Sequence, residues 1–319
     1  MGLTIGVDLG GTKVLAALVD DGEVVSSEKI PTPSSGGVDA VVATITKAVE
    51  ALDCSLDDVG GVGVGAPGVV DPTSGTVLAA PNVPGFDRPV PLAALLAEAL
   101  GVERVAIDND VNAAALGEHR HGAGRGTDDL LVVFVGTGVG GGLVLGGKVR
   151  RGPSGLAGEI GHMVVAHRDG RRCGCGRPGH LEAYAGRAAM EVEARRRHAA
   201  GEPTWLVERV GEGRMKSGTW RGAIEAGDAV AIELVDDAVV ALGAALASVV
   251  HAVDLELVVV GGGLADKLGP PFVGRIEQEV RSRLLVPSSP LRVVPAELGD
   301  SSGVVGAALL PGVASAAAG

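Results

Sequence analysis

One stretch of this chain is echoed by another. Gly11, Thr12, Val14, Val19, Gly22 and Val24 recur at an offset of 125 residues as Gly136, Thr137, Val139, Val144, Gly147 and Val149. In the first copy Leu3, Ile5 and Val7 alternate with Thr4, Gly6 and Asp8, the period of two expected of a strand. Val14 to Val19 resumes as a second strand after Gly10-Gly11-Thr12, and an Asp-Gly turn leads to a third strand around Val24. The chain holds 52 glycines, so chance supplies some of these identities. More telling is the repeated order of strand, Gly-Thr turn, strand, glycine turn and strand. It predicts a duplicated α/β fold with two similar lobes. Val133 stands where the first copy has Asp8, so only the first lobe is expected to bring a carboxylate to the crevice. That asymmetry suits a site for a metal and a nucleotide.

The remaining periodicities fit the same class. Helical spacing runs over residues 38–52, and Val62 to Val64 is a strand ending in Gly65-Ala66-Pro67-Gly68. The helix Leu92 to Leu100 stops at Gly101, where a left-handed residue costs least. Val105 to Ile107 forms a strand that delivers Asp108-Asn109-Asp110 before a helix from Val111 to Glu118. Further helices are expected over residues 188–200, 229–253, 273–285 and 303–310, with fraying from Pro311 onward. Leu257 to Val260 reads as a buried strand ending in Gly261-Gly262-Gly263, residues 201–218 as a variable loop, and Arg195-Arg196-Arg197-His198 as a solvated helix face.

Length and charge narrow the function classes. A chain of 319 residues fits two domains of about 100 to 200 residues each. The expected division is a smaller N-terminal lobe over 1–115, completed by a C-terminal helix over 300–319, and a larger lobe over 116–299. The net charge of −12 argues against a broad nucleic-acid footprint and favours a small-molecule partner. No basic leader with an apolar run opens the chain, and no apolar run reaches the roughly 18 residues of a membrane span, so a cytoplasmic protein is expected. Three cysteines are too few for a disulfide scaffold, and Cys54 reads as a small hydrophobe.

The chemistry-bearing residues fall into three groups. Asp8-x-Gly10-Gly11-Thr12 turns sharply after a strand. Its glycines allow backbone N–H groups to approach phosphate, Thr12 adds a hydroxyl, and Asp8 can hold magnesium directly or through water. Gly136-Thr137-Gly138 and Gly261-Gly262-Gly263 offer two more such contact points, although a Gly-Gly turn in a hairpin is ordinary by itself. None has the Walker ending, and a strand rather than a helix follows the second turn, so neither standard nucleotide fingerprint applies. The second group is Asp108 and Asp110, which share strand parity; either could be the proton acceptor, and the other a cap for the next helix. The third runs from Glu159-Ile160-Gly161-His162 through Cys173-Gly174-Cys175 to His180-Leu181-Glu182, where thiols and imidazoles among glycines point to a structural zinc beside a polar pocket.

Taken together, Asp8-Leu9-Gly10-Gly11-Thr12-Lys13, Asn109-Asp110-x-Asn112, Glu159-Ile160-Gly161-His162 and the Cys-x-Cys-Gly-x-x-Gly-x-x-Glu182 run resemble the ROK family of sugar kinases and repressors, from Leu3 to about Leu310. The resemblance implies an actin-like, ribonuclease-H-like duplicated two-lobe sugar kinase fold closing over ATP and a hexose, as a homodimer or homotetramer. It assigns the general base to Asp110. It implies hexose contacts at Asn109, Glu159, His162 and Glu182, with Asn82 and Gly68 as further candidates. Asp8, Gly10, Gly11, Thr12, Lys13, Gly136, Thr137, Gly138, Gly261, Gly262 and Gly263 would take ATP with Mg2+. In the family the histidine of Glu-Ile-Gly-His binds zinc with three cysteines. Here the third cysteine is His180, so the implied Zn2+ site is His162, Cys173, Cys175 and His180, unless His180 is only a loop residue.

The implied activity is ATP-dependent phosphorylation of a hexose, with Ala80-Pro81-Asn82 and Glu159-Ile160-Gly161-His162 closer to the glucokinase branch than to the fructokinase or N-acylmannosamine kinase branches. Mannose, fructose or an N-acylhexosamine remain alternative substrates, and polyphosphate an alternative donor. A repressor would need a helix-turn-helix ahead of Asp8, where only seven residues stand. A sugar sensor without activity is disfavoured by the presence of both Asp8 and Asp110.

Overall fold

The first copy of the repeat builds an antiparallel meander of β1 (Thr4–Leu9), β2 (Lys13–Asp20) and β3 (Glu23–Pro31) in a computed structural model that describes residues 2–80 and 82–316. Pro81, and residues 317–319 of the expected terminal helix, lie outside the described residues. After α1 (Gly37–Glu50), β4 (Val62–Ala66) joins β1 in parallel. A small ribbon of β5 (Val69–Asp71) and β6 (Thr76–Ala79) follows, then α2 (Leu92–Leu100), which ends on Gly101 at φ 67°. β7 (Val105–Asn109) completes the first sheet beside β4, and α3 (Asp110–His121) leads out of it.

The second copy repeats the plan. β8 (Leu130–Val135), β9 (Val139–Leu145) and β10 (Lys148–Val149) form the meander. A helical insertion comes next: α4 (Glu182–Ala185), α5 (Arg187–Ala199), α6 (Trp205–Val210), α7 (Ser217–Glu225) and α8 (Ala229–Val253). Then β11 (Leu257–Gly261) pairs in parallel with β8, α9 (Gly263–Leu268) and α10 (Pro270–Arg281) follow, and β12 (Arg292–Pro295) closes the sheet before α11 (Ser302–Ala316). The strand orders are β3-β2-β1-β4-β7 and β10-β9-β8-β11-β12, the same plan twice, as the internal echo requires. Both cores are aliphatic. Phe86 is fully buried in the first, and Trp220, Met190 and Leu206 are fully buried in the second. No helix among the described residues is long and apolar enough to cross a membrane.

Three expectations need correction. The first concerns the residue that replaces Asp8. In the first hairpin Leu9 pairs with Val14 across Gly10 to Lys13, whereas in the second Val135 pairs with Val139 across the shorter turn Gly136 to Gly138. Asp8 lies between Leu15 and Gly65, and the residue held between Gly140 and Gly261 is Phe134. Phe134, not Val133, therefore takes the place of Asp8, and the second lobe still offers no carboxylate there. The second correction is that residues 201–218 are not a loop throughout. Thr204 caps α6 by accepting the Leu206 N–H, Asp228 accepts the Thr204 hydroxyl at 2.7 Å, and Leu206 and Met215 are fully buried. Third, α11 continues past Pro311 to Ala316. Proline forfeits the helical bond to the Ala307 carbonyl. That end of the helix lies on β4: Pro311 abuts Gly61, and a Cβ on Gly63 would fall 1.9 Å from the Ala307 oxygen. Pro311 itself is thus seated on the sheet, while Gly312 and Val313 of the following turn are exposed.

α3 and α11 run side by side between the two sheets. α11 packs on β1, β4 and β7, while α3 touches β4 and β7 on one side and β8 and β9 on the other. Their backbones approach so closely that a Cβ on Gly306 would lie 1.6 Å from the Ala113 oxygen, and one on Gly117 would lie 2.6 Å from the Ser302 oxygen. The buried Glu118 locks this pair. Its Oε1 accepts from Leu298 N and Ser302 Oγ, and its Oε2 from Ala123 N and Glu297 N. In an open helix interior alanine is favoured over glycine by about 1 kcal/mol. Here Gly306→Ala is expected to lose at least about 2 kcal/mol in urea unfolding because the added methyl must push the helices away from each other. An unchanged or raised stability would show that the helices are not in backbone contact.

Candidate active site

The end of β7 and the start of α3 set the central carboxylate. Asn109 is the N-cap: its Oδ1 accepts the N–H of Val111 at 3.0 Å and of Asn112 at 3.1 Å. Asp110 thereby becomes the first helical residue, and its Oδ1 also accepts the Val111 N–H at 2.9 Å. Burial first, then the negative charges of Asp8 and Glu159, push its pKa up to about 7, against the lowering effect of the Val111 N–H. A carboxyl group poised near neutrality is suited to take up a proton. Asp8 faces it from β1. Burial raises its pKa, Lys13 opposes the shift, and Asp300 adds to it. The N-terminal turn of α11 also comes up against Asp8, since a Cβ on Gly303 would lie 3.0 Å from its Cγ.

Asp108 has a different fate from the cap expected of it. It is 2% exposed, and its Oδ1 accepts from Asn109 N at 2.8 Å and Asn112 Nδ2 at 3.4 Å. Its Oδ2 is held by Arg151, through Nε at 2.8 Å and a second, shorter contact from Nη2. The equal strand parity of Asp108 and Asp110 is broken because the chain leaves β7 at Asn109. Arg151 was not foreseen. It follows β10 in the second meander and so ties that half of the chain to the strand that delivers Asp110. Its sequence neighbourhood, Arg150-Arg151-Gly152, carries no signal of this.

The glycine turns are reached from both sheets. At the first, Gly10 N–H donates to Lys13 O at 2.9 Å and Thr32 Oγ1 donates to Gly10 O at 2.6 Å, which leaves Gly11 and Thr12 exposed. Asn82 is exposed beside this turn, its carbonyl 3.5 Å from where a Gly11 Cβ would be. Gly68 accepts from Asn109 Nδ2 at 2.9 Å. Asn109 thus has both lone pairs of Oδ1 and one amide hydrogen in use, and retains a single N–H for a ligand. At the second turn, Gly136 O and Thr137 O accept the N–H groups of Arg187 and Ala188, both at 3.0 Å, so the turn caps α5. Gly262, at φ 91°, lies against the backbone of Val135, which sets Gly261 to Gly263 beside the second turn. Two of the three glycine sites are thereby adjacent, and the first belongs to the opposite sheet.

The Cys/His segment forms one cluster. Single ligand atoms of His162, Cys173, Cys175 and His180 all lie within 4.8 Å of one another. His162 Nδ1 is 3.2 Å from His180 Nδ1, Cys175 Sγ 3.3 Å from His180 Nδ1, and Cys173 Sγ 3.9 Å from His162 Nδ1. Tetrahedral zinc with bonds of about 2.0 to 2.3 Å has ligand–ligand edges of roughly 3.3 to 3.8 Å, so donor set and spacing fit the metal. Antiparallel pairing of Val164 with His180 brings the two histidines together. His162 turns its other nitrogen toward Glu159, 4.0 Å from Oε2. Glu182 joins this cluster to the second glycine turn: Oε1 lies 3.5 Å from Cys173 Sγ, and Oε2 accepts the Val139 N–H at 3.1 Å.

A family model described as the ROK family matches residues 4–312. A glucokinase of Streptomyces coelicolor is 38% identical over 316 residues, 97% of each chain. Among solved structures, a ROK family glucokinase from Streptomyces griseus in complex with glucose and AMPPNP superposes with a TM-score of 0.81 at 38% identity, covering 96% of this chain and 98% of that one. A ROK hexokinase from Thermus thermophilus has a TM-score of 0.81 at 35% identity, covering 99% of this chain and 100% of that one.

The Asp108–Arg151 pair gives the site its testable weak point. Removing one partner of a buried pair costs about 3 to 5 kcal/mol because the other charge is left unmatched. Arg151→Met is expected to lower unfolding free energy by about 3 kcal/mol, and Asp108→Asn combined with it to recover some of that loss. An additive double variant in chemical denaturation would mean that the two side chains do not work as a pair.

Proposed function

Since the chain belongs to the ROK family, we propose that it is an ATP-dependent glucokinase, passing the γ-phosphoryl group of ATP to the 6-hydroxyl of glucose. The fold is the family's actin-like, ribonuclease-H-like one. The observation that carries the reading is Asp110, a carboxyl group with a pKa of about 7 facing Asp8 between two sheets that each present a glycine turn. Phosphoryl transfer asks the protein for positioning, charge neutralisation and a proton acceptor. Asp110 takes the proton of the attacking hydroxyl. Gly68, Asn82, Asn109, Glu159, His162 and Glu182 hold the sugar, and a site that hydrogen-bonds each hydroxyl rejects analogues that lack one.

On the donor side, Gly10, Gly11, Thr12 and Lys13 meet the phosphates from the first lobe, and Gly136, Thr137, Gly138 and Gly261 to Gly263 meet the nucleotide from the second. We assign residues 1–115 with the C-terminal helix to the first lobe and 116–299 to the second. Asp8 would hold Mg2+, which supplies charge neutralisation at the transferring phosphoryl group. Its burial and the added negative charge of Asp300 suit a cation ligand. Zinc held by His162, Cys173, Cys175 and His180 would fix the loop that presents Glu182 and the free nitrogen of His162, a structural role outside the reaction itself. We take the working form to be a cytoplasmic homodimer or homotetramer.

A base must be ionised to act, and the Asp110 carboxyl stays neutral below its raised pKa, so kcat/KM for glucose should fall about tenfold per pH unit below about 7 and level off above it. Asp110→Asn should lose about 100- to 10,000-fold in kcat while still binding glucose, and turnover at the parent rate would rule Asp110 out as the base. For the metal, elemental analysis should find zinc bound to the chain. A chelator, or Cys173→Ser, should lower the melting temperature and raise KM for glucose, and unchanged melting after complete metal removal would dismiss the structural role.

A further inference from the structure

Arg187 is the first residue of α5 and lies on the second glycine turn. Its Nη2 donates to Thr137 Oγ1 at 2.8 Å and its Nη1 to the Met215 carbonyl at 2.6 Å. Both acceptors are neutral. Among the described residues Arg187 forms no ion pair, whereas Arg195, Arg196 and Arg197 of the same helix are paired with Glu191, Glu193 and Glu202. Glu191 is the one carboxylate whose field favours the Arg187 charge, and it is already taken by Arg195 and by the Met215 N–H at 3.0 Å.

Beyond these two neutral acceptors and Glu191, the surroundings of this guanidinium disfavour its charge. Burial and then the nearby Arg214 both lower its pKa from the usual arginine range. It stands at a helix N-terminus, where the helix dipole repels cations, and the first turn of α5 contains no acidic residue. Arg214 is exposed near it and forms no ion pair among the described residues. In a chain of net charge −12, the Thr137 side of the second glycine turn thus carries Arg187 with Arg214 near it, while Glu182 stands on the Gly138–Val139 side with its oxygens already engaged. A guanidinium held on neutral acceptors, with a second cation near it, breaks the usual pairing of charges, and such breaks are expected at functional sites.

We propose that Arg187, seconded by Arg214, binds the phosphate chain of the phosphoryl donor at the Thr137 turn. This rests on the kinase reading and names a contact that the glycine motifs do not contain. Arg187 gives the turn a fixed charge, where the glycines give only N–H dipoles, and its fork holds the Thr137 hydroxyl in place before the donor arrives. A purely mechanical strut between Thr137 and Met215 would need the donor hydrogens of Arg187 but not its charge.

The test separates these two roles with Arg187→Gln, which keeps hydrogen-bond donors, Arg187→Lys, which keeps the charge, and Arg214→Gln. Mg·ADP and inorganic tripolyphosphate are titrated into each protein by calorimetry, and each protein is melted. Arg187→Gln should weaken Mg·ADP binding about 10- to 100-fold and raise KM for ATP to match, with KM for glucose unchanged. Arg187→Lys should retain more affinity than Arg187→Gln. Arg214→Gln should cost a few-fold and flatten the salt dependence of Mg·ADP binding. Tripolyphosphate binding that also falls in Arg187→Gln supports direct contact with the phosphate chain. Parent affinity for Mg·ADP in Arg187→Gln with parent melting would overturn the proposal, as would equal losses in the Lys and Gln variants accompanied by equal losses of melting temperature. Binding is read without turnover, so the two readings can fail separately. A protein that binds Mg·ADP through Arg187 but phosphorylates no hexose would sink only the kinase assignment. Glucose phosphorylation with an unaltered KM for ATP in Arg187→Gln would sink only this one.

Discussion

The backbone contact between α3 and α11 is the constraint on which the rest of the structure depends. Each helix must lie against a neighbour without side chains between them, so glycine is required at the crossing points, and the sheets on either side are brought to a fixed separation. Both acidic groups of the crevice are set by this pair. Asp110 is the first residue of α3, and Asp8 lies against the first turn of α11. Glu118 secures the arrangement from inside: four donors surround its carboxylate, and three of them come from the segment that enters α11 or from the helix start itself. A buried carboxylate is tolerable there because every strong acceptor direction is met.

Three carboxylates of α3 and its approach therefore differ in chemistry for reasons of partnership. Glu118 is satisfied by neutral donors, and Asp108 by a guanidinium. Asp110 receives one backbone N–H and looks toward two other negative charges, so its proton is held far more tightly than that of an ordinary aspartate. The same backbone turn that caps α3 through Asn109 separates Asp108 from Asp110 and gives them these opposite environments.

The fold could be read in the sequence wherever a local pattern was strong. Period-two strands, the recurring Gly-Thr turns and the long apolar periods of α8 all appear where expected, and the four donors of the Cys/His segment, a set implied by the family resemblance, lie close together. What escaped was set by register or by tertiary partners. Identities that resume in β9 hide the shorter second turn, so Phe134 could not be recognised as the counterpart of Asp8. α6 is too short to show a period, and in α7, as long as α2, the buried Trp220 and Ala223 stand among glycines and charges that blur it. Pro311 sits against Gly61 beside β4, a tertiary contact invisible in the sequence, and α11 runs through it where fraying was expected. Arg151 and Arg187 carry no motif at all. Each is significant only through what it bonds, a carboxylate in one case and neutral acceptors alone in the other.

Glu182 reaches in two directions, with one oxygen toward Cys173 and the other on the N–H of Val139. No side chain fits between it and Gly138, where a Cβ would fall 2.2 Å from Oε2. The loop of thiols and imidazoles and the turn of glycines are consequently not independent modules. Whatever shifts one shifts a shared carboxylate, and thermodynamic reciprocity makes any such influence mutual: a tighter grip at the loop and a tighter grip at the turn must favour each other by the same factor, or oppose each other by the same factor.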